Sequence, residues 1–517
     1  MSTEAPKELV NVQIDGVWHQ FAKGTKIIEA CAQVGKFIPR YCYHPRLSAP
    51  GNCRMCMVQL GMPKLGADKK PELDAEGRPV HNWIPRPQIS CAQDVSEGLG
   101  VRTDSELVKE ARRGVMEFLL INHPLDCPIC DQAGECRLQE FAFDHGSGQA
   151  RFAEEKVKKS KRVELGPRVT LDAERCVLCT RCIRFMREVA GEDCIGIVNR
   201  GGLNEIACHE GRRLESNYSL NTVDICPVGA LTSTDFRFKM RTWFLKETKS
   251  ICTSCATGCN TVIAARENIV YRQTPRENAA VNQSWMCDHG RLYLHGLHAP
   301  GRLLEPTPGG DWDAAIASAV AALQRAKPEQ IAVIASGRQT NEELFLTAQL
   351  IEKLGVTQFD IIPHEDAGDG FLLSADRNPN TAGARRFGLV TGQLDAIATR
   401  VQSGAIKTMI VFGEDVPQLA EKLAALIVIS PLPNATTAAA SHVLPGLAFA
   451  EKRGTMINKT NRLQRLNRAV QQPGLARDDW EILAALLHGV GGKKYVEYED
   501  VTSAMNLGDP GDLGIQL

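Results

Sequence analysis

The last 230 residues of this 517-residue chain contain no cysteine, although 18 cysteines lie between Cys31 and Cys287. No stretch approaches the ~18 to 20 consecutive apolar residues of a membrane span. The most apolar windows, 314–323 and 423–429, have the lengths of a buried helix and a buried strand. The start, MSTEAPKELV, has neither an apolar core nor a cleavage site, so no secretory signal is expected and the chain is predicted to be soluble and cytoplasmic. Net charge is −1, so no nucleic-acid surface is expected. The run Lys156-Val-Lys-Lys-Ser-Lys-Arg162 is a local, solvated linker. No Gly-rich turn in the back half matches GxGxxG, so no nucleotide site is expected there.

What is present is ordinary in bulk, with 43% hydrophobic and 23% charged residues, as in soluble globular proteins. The length predicts several domains. Cysteines in such a chain stay reduced, so tight spacings point to metal rather than to disulfides. The chain therefore divides into a metal-rich front and an aliphatic, Ala- and Leu-rich back.

Strands at 10–14 and 17–21 flank Asp15-Gly16, a hairpin signal. A helix from about Thr25 carries Ile27, Ile28, Cys31 and Val34 on one face and stops at Gly35; Cys31 thus belongs to the core. Cys42, Cys53-Arg-Met-Cys56 and a distant Cys91 then follow the layout of a plant-type [2Fe–2S] ferredoxin, with ten residues rather than four in the first gap. Residues 62–88 are a hydrophilic insertion on the path to Cys91. Zinc is the competing reading, but four-cysteine zinc sites favour two CxxC pairs and only one is present. The segment Tyr41-Cys-Tyr-His-Pro45…Gly51-Asn-Cys-Arg-Met-Cys56, with Ser90-Cys91-Ala, resembles the amino-terminal module of the large iron–sulfur subunit (G type) of bacterial NADH:quinone oxidoreductase, respiratory complex I.

An amphipathic helix over 105–122, with Leu107, Val108, Ala111, Val115, Phe118 and Leu119 on its apolar face, leads to His123-x3-Cys127-x2-Cys130-x5-Cys136. Three cysteines leave a cubane one donor short, and no other cysteine is spare nearby. The motif is also similar to the His-ligated [4Fe–4S] motif of the same family and of iron-only hydrogenases. Neutral imidazole in place of a thiolate makes the site less negative by one charge.

Cys176-x2-Cys179-x2-Cys182, with Cys226-Pro227, follows half of a two-cluster ferredoxin, in which each run's fourth cysteine serves the other cluster. The second cluster would need donors at 186, 216, 219 and 222, where Met186, Ser216, Ser219 and Thr222 stand. One cubane is expected and the other is erased. Cys194 and Cys208 fit neither pattern.

Cys252-x2-Cys255-x3-Cys259-x27-Cys287 resembles the opening of molybdopterin oxidoreductases, where it holds a [4Fe–4S] centre. The resemblance implies a Lys two residues after the last cysteine; here it is His289, as in a domain that has lost its pterin. The back half is α/β by pattern, with strands at 331–336, 406–412 and 425–429. It also has a helix capped by Asn341 that carries Leu344, Phe345, Ala348 and Ile351 and stops at Gly355. The segment from His442 through Glu451, Gly454 and Asn458 to Gln464 resembles the molybdopterin-oxidoreductase superfamily.

Fifteen cysteines and His123 supply sixteen donors. They suit one [2Fe–2S] cluster (Cys42, Cys53, Cys56, Cys91) and three [4Fe–4S] clusters (His123, Cys127, Cys130, Cys136; Cys176, Cys179, Cys182, Cys226; Cys252, Cys255, Cys259, Cys287). Cys31, Cys194 and Cys208 are spare. The resemblance implies a multidomain α+β and α/β chain. Its parts are a β-grasp [2Fe–2S] ferredoxin domain (1–104), a helical domain with the His-ligated cluster (105–165), a ferredoxin-like domain with one cluster lost (166–246), a molybdopterin-type [4Fe–4S] domain (247–302) and a pterin-less α/β scaffold (303–517). It further implies an electron-relay subunit on the cytoplasmic face of the bacterial inner membrane, in a peripheral arm. Electrons would run from a flavin- and NADH-binding subunit through the [2Fe–2S] centre, the His-ligated cubane and the ferredoxin-like cubane toward quinone-side iron–sulfur subunits. The chain itself would have no catalytic site, no FMN and no molybdopterin. The alternatives are a subunit of an NAD-linked formate dehydrogenase or hydrogenase, or a zinc-rich scaffold protein.

Overall fold

A computed structural model describes residues 8–298, 300–420 and 422–517. The chain divides into two compact units between Trp243 and Phe244.

In the first unit, β1 (Leu9–Ile14) and β2 (Val17–Ala22) pair antiparallel in full register. The turn works because Asp15 and Gly16 both take positive φ, as a two-residue hairpin requires. α1 (Ile27–Gln33) buries Ile27, Ile28 and Cys31. β3 (Met57–Pro63), β4 (His81–Trp83), β5 (Gln88–Ile89) and β6 (Leu99–Arg102) complete a six-stranded sheet, ordered β2-β1-β6-β3-β4 with β5 on β3. Between β3 and β4 the strand pairing reduces to isolated bridges, Leu65 to Pro71 and Leu73 to Pro79. α2 (Glu106–Ile121) buries Val108, Arg112 and Met116 rather than the whole predicted stripe. Phe118 is 78% exposed, so that part of the periodicity reading is wrong. The helix is turned so that Arg112 reaches inward to donate to the Met57 carbonyl at 2.8 Å.

α3 (Arg137–His145) follows Cys136. β7 (Val163–Glu164) and β8 (Val169–Leu171) lead to α4 (Arg181–Glu188), the hairpin β9 (Ile195–Val198) and β10 (Glu205–Cys208), α5 (Asn221–Asp224) and β11 (Leu231–Ser233), which pairs with β8.

The second unit opens with an antiparallel sheet of β12 (Lys246–Ile251), β13 (Asn260–Arg266) and β14 (Ile269–Pro275), then α6 (Asp288–Leu292). α7 (Trp312–Arg325) and α8 (Asn341–Leu354) alternate with β15 (Ile331–Ala335) and β16 (Gln358–Ile361). Thr340, not Asn341, caps α8, accepting from the Glu343 amide while Glu343 returns the bond. β17 (Thr408–Phe412), β18 (Ala425–Ser430) and β19 (His442–Pro445) complete a five-stranded parallel sheet ordered β16-β15-β17-β18-β19. Its strands are apolar on both faces because helices cover both. Val333, Ile410 and Ile427 pack with α7 and α8, while Ile334, Met409 and Val428 pack with the helix Leu394–Gln402.

Candidate metal centres

Cys42, Cys56 and Cys91 are buried and Cys53 half-buried at one edge of the first sheet. Hydrogen bonds from the Cys53 and Cys91 thiols pull the Cys42 pKa well down, and Cys91 does the same to Cys56. The four sulfurs therefore face one another. The Cys53–Cys56 loop turns through Arg54 in the left-handed region. Ser90 clasps the Cys56 carbonyl with its amide (3.1 Å) and hydroxyl (2.8 Å), which sets Cys91 over Cys56. Cys31 is fully buried in the apolar core on α1, its thiol pushed up to about 12 by burial.

His123, Cys127, Cys130 and Cys136 line a void of about 20 Å³ with Asp126, Arg175 and Gly229. Burial, reinforced by Arg175, lowers the His123 pKa to about 4. The imidazole is neutral and keeps a lone pair to donate. A Cβ on Gly229 would lie 2.3 Å from the Cys130 sulfur, so the void depends on glycine there. Cys127 is exposed, whereas Cys130 and Cys136 are buried.

Cys176, Cys179, Cys182 and Cys226 line a second void of about 20 Å³, walled by Leu171, Ile206, Val228 and Leu231. Leu178 and Thr180 take positive φ, winding the loop so that the Leu178 amide points at the Cys176 sulfur, 3.4 Å away. Burial raises the Cys176 thiol to about 12 and Cys179 to about 11. At the positions of the missing donors, Met186, Ser216, Ser219 and Thr222 are all buried. Thr222 donates to the Ser219 carbonyl at 2.6 Å. Cys194 and Cys208 line neither void, and the Cys208 thiol donates to the Leu165 carbonyl at 3.2 Å.

In the second unit Cys252, Cys255, Cys259 and Cys287 are all buried. Burial first, then the other cysteines of the set, pushes Cys252 and Cys259 far above the ordinary thiol range. Cys287 caps α6, its sulfur accepting from the Gly290 amide at 3.3 Å. A Cβ on Gly290 would meet the sulfurs of Cys252 and Cys287 at 2.9 and 3.3 Å. His289 points its Nδ1 at the Ser254 hydroxyl, 2.9 Å away. Among the described residues no group of three or more His, Cys, Asp or Glu closes on one point as a single metal ion needs.

The three sites of the first unit touch through named groups. One Arg184 nitrogen donates to the carbonyls of Cys42 (2.5 Å) and Cys179 (3.3 Å), and Asn52 donates to Leu178 (3.2 Å). The Pro227 carbonyl, next to Cys226, lies 4.0 Å from the Cys136 sulfur and accepts from the Arg137 amide at 3.1 Å. Tyr41 stacks edge-on against Phe141 of α3, with ring centroids 5.3 Å apart. Sequence reasoning overlooked Arg175, Arg181, Arg184, Gly229 and Gly290. The available signal was arginines set between and just after the cysteines.

A family model described as the 2Fe-2S iron-sulfur cluster binding domain matches residues 7–106. The NADH-ubiquinone oxidoreductase-G iron-sulfur binding region matches 112–151, and the ferredoxin-like domain of NADH-quinone oxidoreductase subunit 3 matches 166–232. The NDSU1/NuoG-like 4Fe-4S domain matches 245–295 and molybdopterin oxidoreductase 364–488. The G subunit of the NADH-quinone oxidoreductase of Rickettsia conorii is 40% identical over 367 residues, 68% of this chain and 51% of that protein. The chain belongs to the G-type iron–sulfur subunits of NADH-quinone oxidoreductases. The mitochondrial NADH dehydrogenase [ubiquinone] iron-sulfur protein 1 of Solanum tuberosum is 38% identical over 382 residues, 71% of this chain and 49% of that protein. The chain thus spans about half the length of these two relatives. A solved NAD+-reducing [NiFe]-hydrogenase chain matches 45% of this chain and 91% of its own length at 28% identity, with a TM-score of 0.35.

Proposed function

We propose that the chain is the electron-relay subunit of an NADH-quinone oxidoreductase. A [2Fe–2S] cluster would sit on Cys42, Cys53, Cys56 and Cys91 in a β-grasp domain. [4Fe–4S] clusters would sit on His123, Cys127, Cys130 and Cys136; on Cys176, Cys179, Cys182 and Cys226; and on Cys252, Cys255, Cys259 and Cys287. The observation that carries this reading is the sorting of sixteen donors into four separate sets, with Cys31, Cys194 and Cys208 outside them. Two of the sets fit their clusters through space that only glycine leaves open, at Gly229 and Gly290.

Bound clusters supply one-electron acceptors, and the protein sets their position, charge and access to water. Neutral His123 leaves its site one charge less negative than a thiolate would. The apolar wall of Leu171, Ile206, Val228 and Leu231 keeps water from the Cys176 set. Arg184 and Pro227 join the Cys176 set to each of the other two by backbone contacts, whereas the Cys42 and His123 sites touch only through the Tyr41 and Phe141 rings among the contacts named above. The backbone contacts favour the order Cys42 set, Cys176 set, His123 set over the order that the sequence suggested. Exposed Cys127 makes the His123 set the outlet to a quinone-side partner, with the flavin subunit feeding the Cys42 set. Among the described residues no helix is long and apolar enough to cross a membrane, and a place in the peripheral arm on the cytoplasmic side suits such a chain.

The back domain suits a scaffold without pterin. A cavity of about 500 Å³ lies at the carboxyl ends of β15, β17 and β18. Glu414 holds the Ser336 hydroxyl (2.5 Å) and His364 (2.6 Å), Lys452 holds Glu343 and Asp479, and Arg338 donates to the Tyr293 hydroxyl. No step is assigned to the cavity.

Anaerobic iron and sulfide analysis with EPR on the purified chain tests the assignment. About 14 iron atoms per chain are expected. A count near ten removes one cubane, a count near eighteen restores the erased one, and stoichiometric zinc overturns the reading.

A further inference from the structure

α4 aims two arginines at the loop that carries Cys42. Arg184 is 9% exposed, and a guanidinium taken out of water normally needs a carboxylate, because an uncompensated charge costs more than neutral hydrogen bonds return. None of its partners is a carboxylate. Its Nη1 donates to the Ser48 carbonyl (2.5 Å), its Nη2 to the Cys42 and Cys179 carbonyls, and its Nε to the Thr180 hydroxyl (3.2 Å). Glu188, one turn along the same helix, is taken up by the amide and hydroxyl of Ser48.

Arg181 extends the row. It donates to the Tyr43 carbonyl at 2.5 Å and the Ile225 carbonyl at 3.1 Å, which belong to the residues beside Cys42 and Cys226. Cys179, Cys226 and Cys42 all act on its charge. Arg175 is different: its charge is spent on Asp126 (3.0 Å) and Asp172 (3.2 Å).

We propose that Arg184 is a positioning residue shared by the Cys42 and Cys176 sites, the common counter-cation for the negative charge that both carry. The inference rests on the iron–sulfur reading of both sites. An electron added to either makes it more negative by one, and a fixed cation on both ligand backbones favours both reduced forms. Because one cation serves both, it raises the two potentials together and leaves the gap between them unchanged.

The test uses the full chain, isolated without oxygen, as wild type, Arg184→Gln and Arg184→Lys. Iron and sulfide are counted before EPR redox titration. Wild type lacking iron would sink the cluster reading itself, an outcome distinct from any change in the variants. With iron complete, Arg184→Gln should move the Cys42-site and Cys176-site signals down together. At a fixed potential each should be about tenfold less reduced, about 59 mV for a one-electron couple. Arg184→Lys, which keeps the charge, should titrate near wild type, and the His123-site signal should not move in either variant. A shift at one site only, at neither, or equally large with Lys would overturn the shared role. If Arg184→Gln loses iron, Arg184→Lys decides: full iron with unmoved potentials upholds the proposal, and lost iron overturns it.

Discussion

Replacing Gly229 by alanine gives the sharpest test of the His123 site, because the perturbation is one methyl group of known position. Built on the existing backbone, that carbon falls 2.3 Å from the Cys130 sulfur and 3.1 Å from the Gln132 Cβ. Heavy atoms in van der Waals contact sit about 3.5 to 4.0 Å apart, so the sulfur must retreat by more than about 1 Å. Gly229 is not in the left-handed region, so alanine adds no backbone strain and the effect is purely steric. Overpacking of this kind costs about 1 to 3 kcal/mol, which is a loss of about five- to 150-fold in holding whatever Cys130 binds. The expected result is iron falling from about 14 toward about 10 per chain, with loss of one cubane EPR signal and retention of the [2Fe–2S] signal. Gly114→Ala is the control: nothing lies within 4 Å of the new carbon, on α2, and alanine in a helix should add about 1 kcal/mol of stability. Full iron and an unchanged spectrum in Gly229→Ala would refute the placement of Cys130 at a cluster.

Three further outcomes are expected. His123→Cys should keep its cubane but lower its potential, since the site gains one negative charge; an unchanged or raised potential in the EPR titration would remove imidazole as the fourth donor. Cys255→Ala should reduce thermal stability and the yield of assembled complex while turnover per assembled complex stays intact; a large loss of per-complex turnover would put that site on the electron path. Asp478 titrates near 6 rather than 3.8, chiefly because burial penalises its charge, with Arg468 opposing. Its folded pKa is raised, so the native state binds the proton more tightly, and stability should fall as pH climbs from about 4 to 6 and level off above. The fall is about 3 kcal/mol at most. Asp478→Asn should flatten that slope in hydrogen exchange of the helix Asp479–Gly489; an equally steep slope would acquit Asp478.

Much of this was legible in residue spacing, and the remainder was hidden for physical reasons. The Asp15-Gly16 hairpin and the stop of α8 at Gly355 follow from backbone sterics, which are local. Cys31 could be set aside from periodicity alone, and it lies in the core. The four donor sets are proposed from spacing because clusters demand fixed short spacings. α2 was misjudged at Phe118 because its inward face is chosen by Arg112 reaching the Met57 carbonyl, a partner 55 residues away. Asn341 was taken for the cap of α8 because capping propensity does not separate Thr340 from its neighbour, whereas the reciprocal bond with Glu343 does. The adjacency of the sites was out of reach for the same reason. Arg184 lies 142 residues from Cys42, and nothing in the spacing of either motif records the contact.

That contact also gives the erased cluster a physical sense. In a two-cluster ferredoxin the helix following the CxxCxxC run carries the fourth cysteine toward a second cluster in the same small domain. Here that position is Met186, buried against the turn that ends α4, while Ser216, Ser219 and Thr222 close the space with bonds of their own. The same helix turns Arg181 and Arg184 onto carbonyls of the Cys42 loop. On the proposed reading, the Cys176 site did not lose its redox neighbour when it lost the second cubane; it exchanged one inside its own domain for one supplied by another. A cation in contact with both ligand backbones ties the two sites together where they share no cysteine. Restoring cysteine at 186, 216, 219 and 222 should then fail to rebuild a cluster, since Arg181 and Arg184 still hold the helix on the Cys42 loop. A chain carrying all four cysteines that bound about eighteen iron atoms would show that the space had remained open.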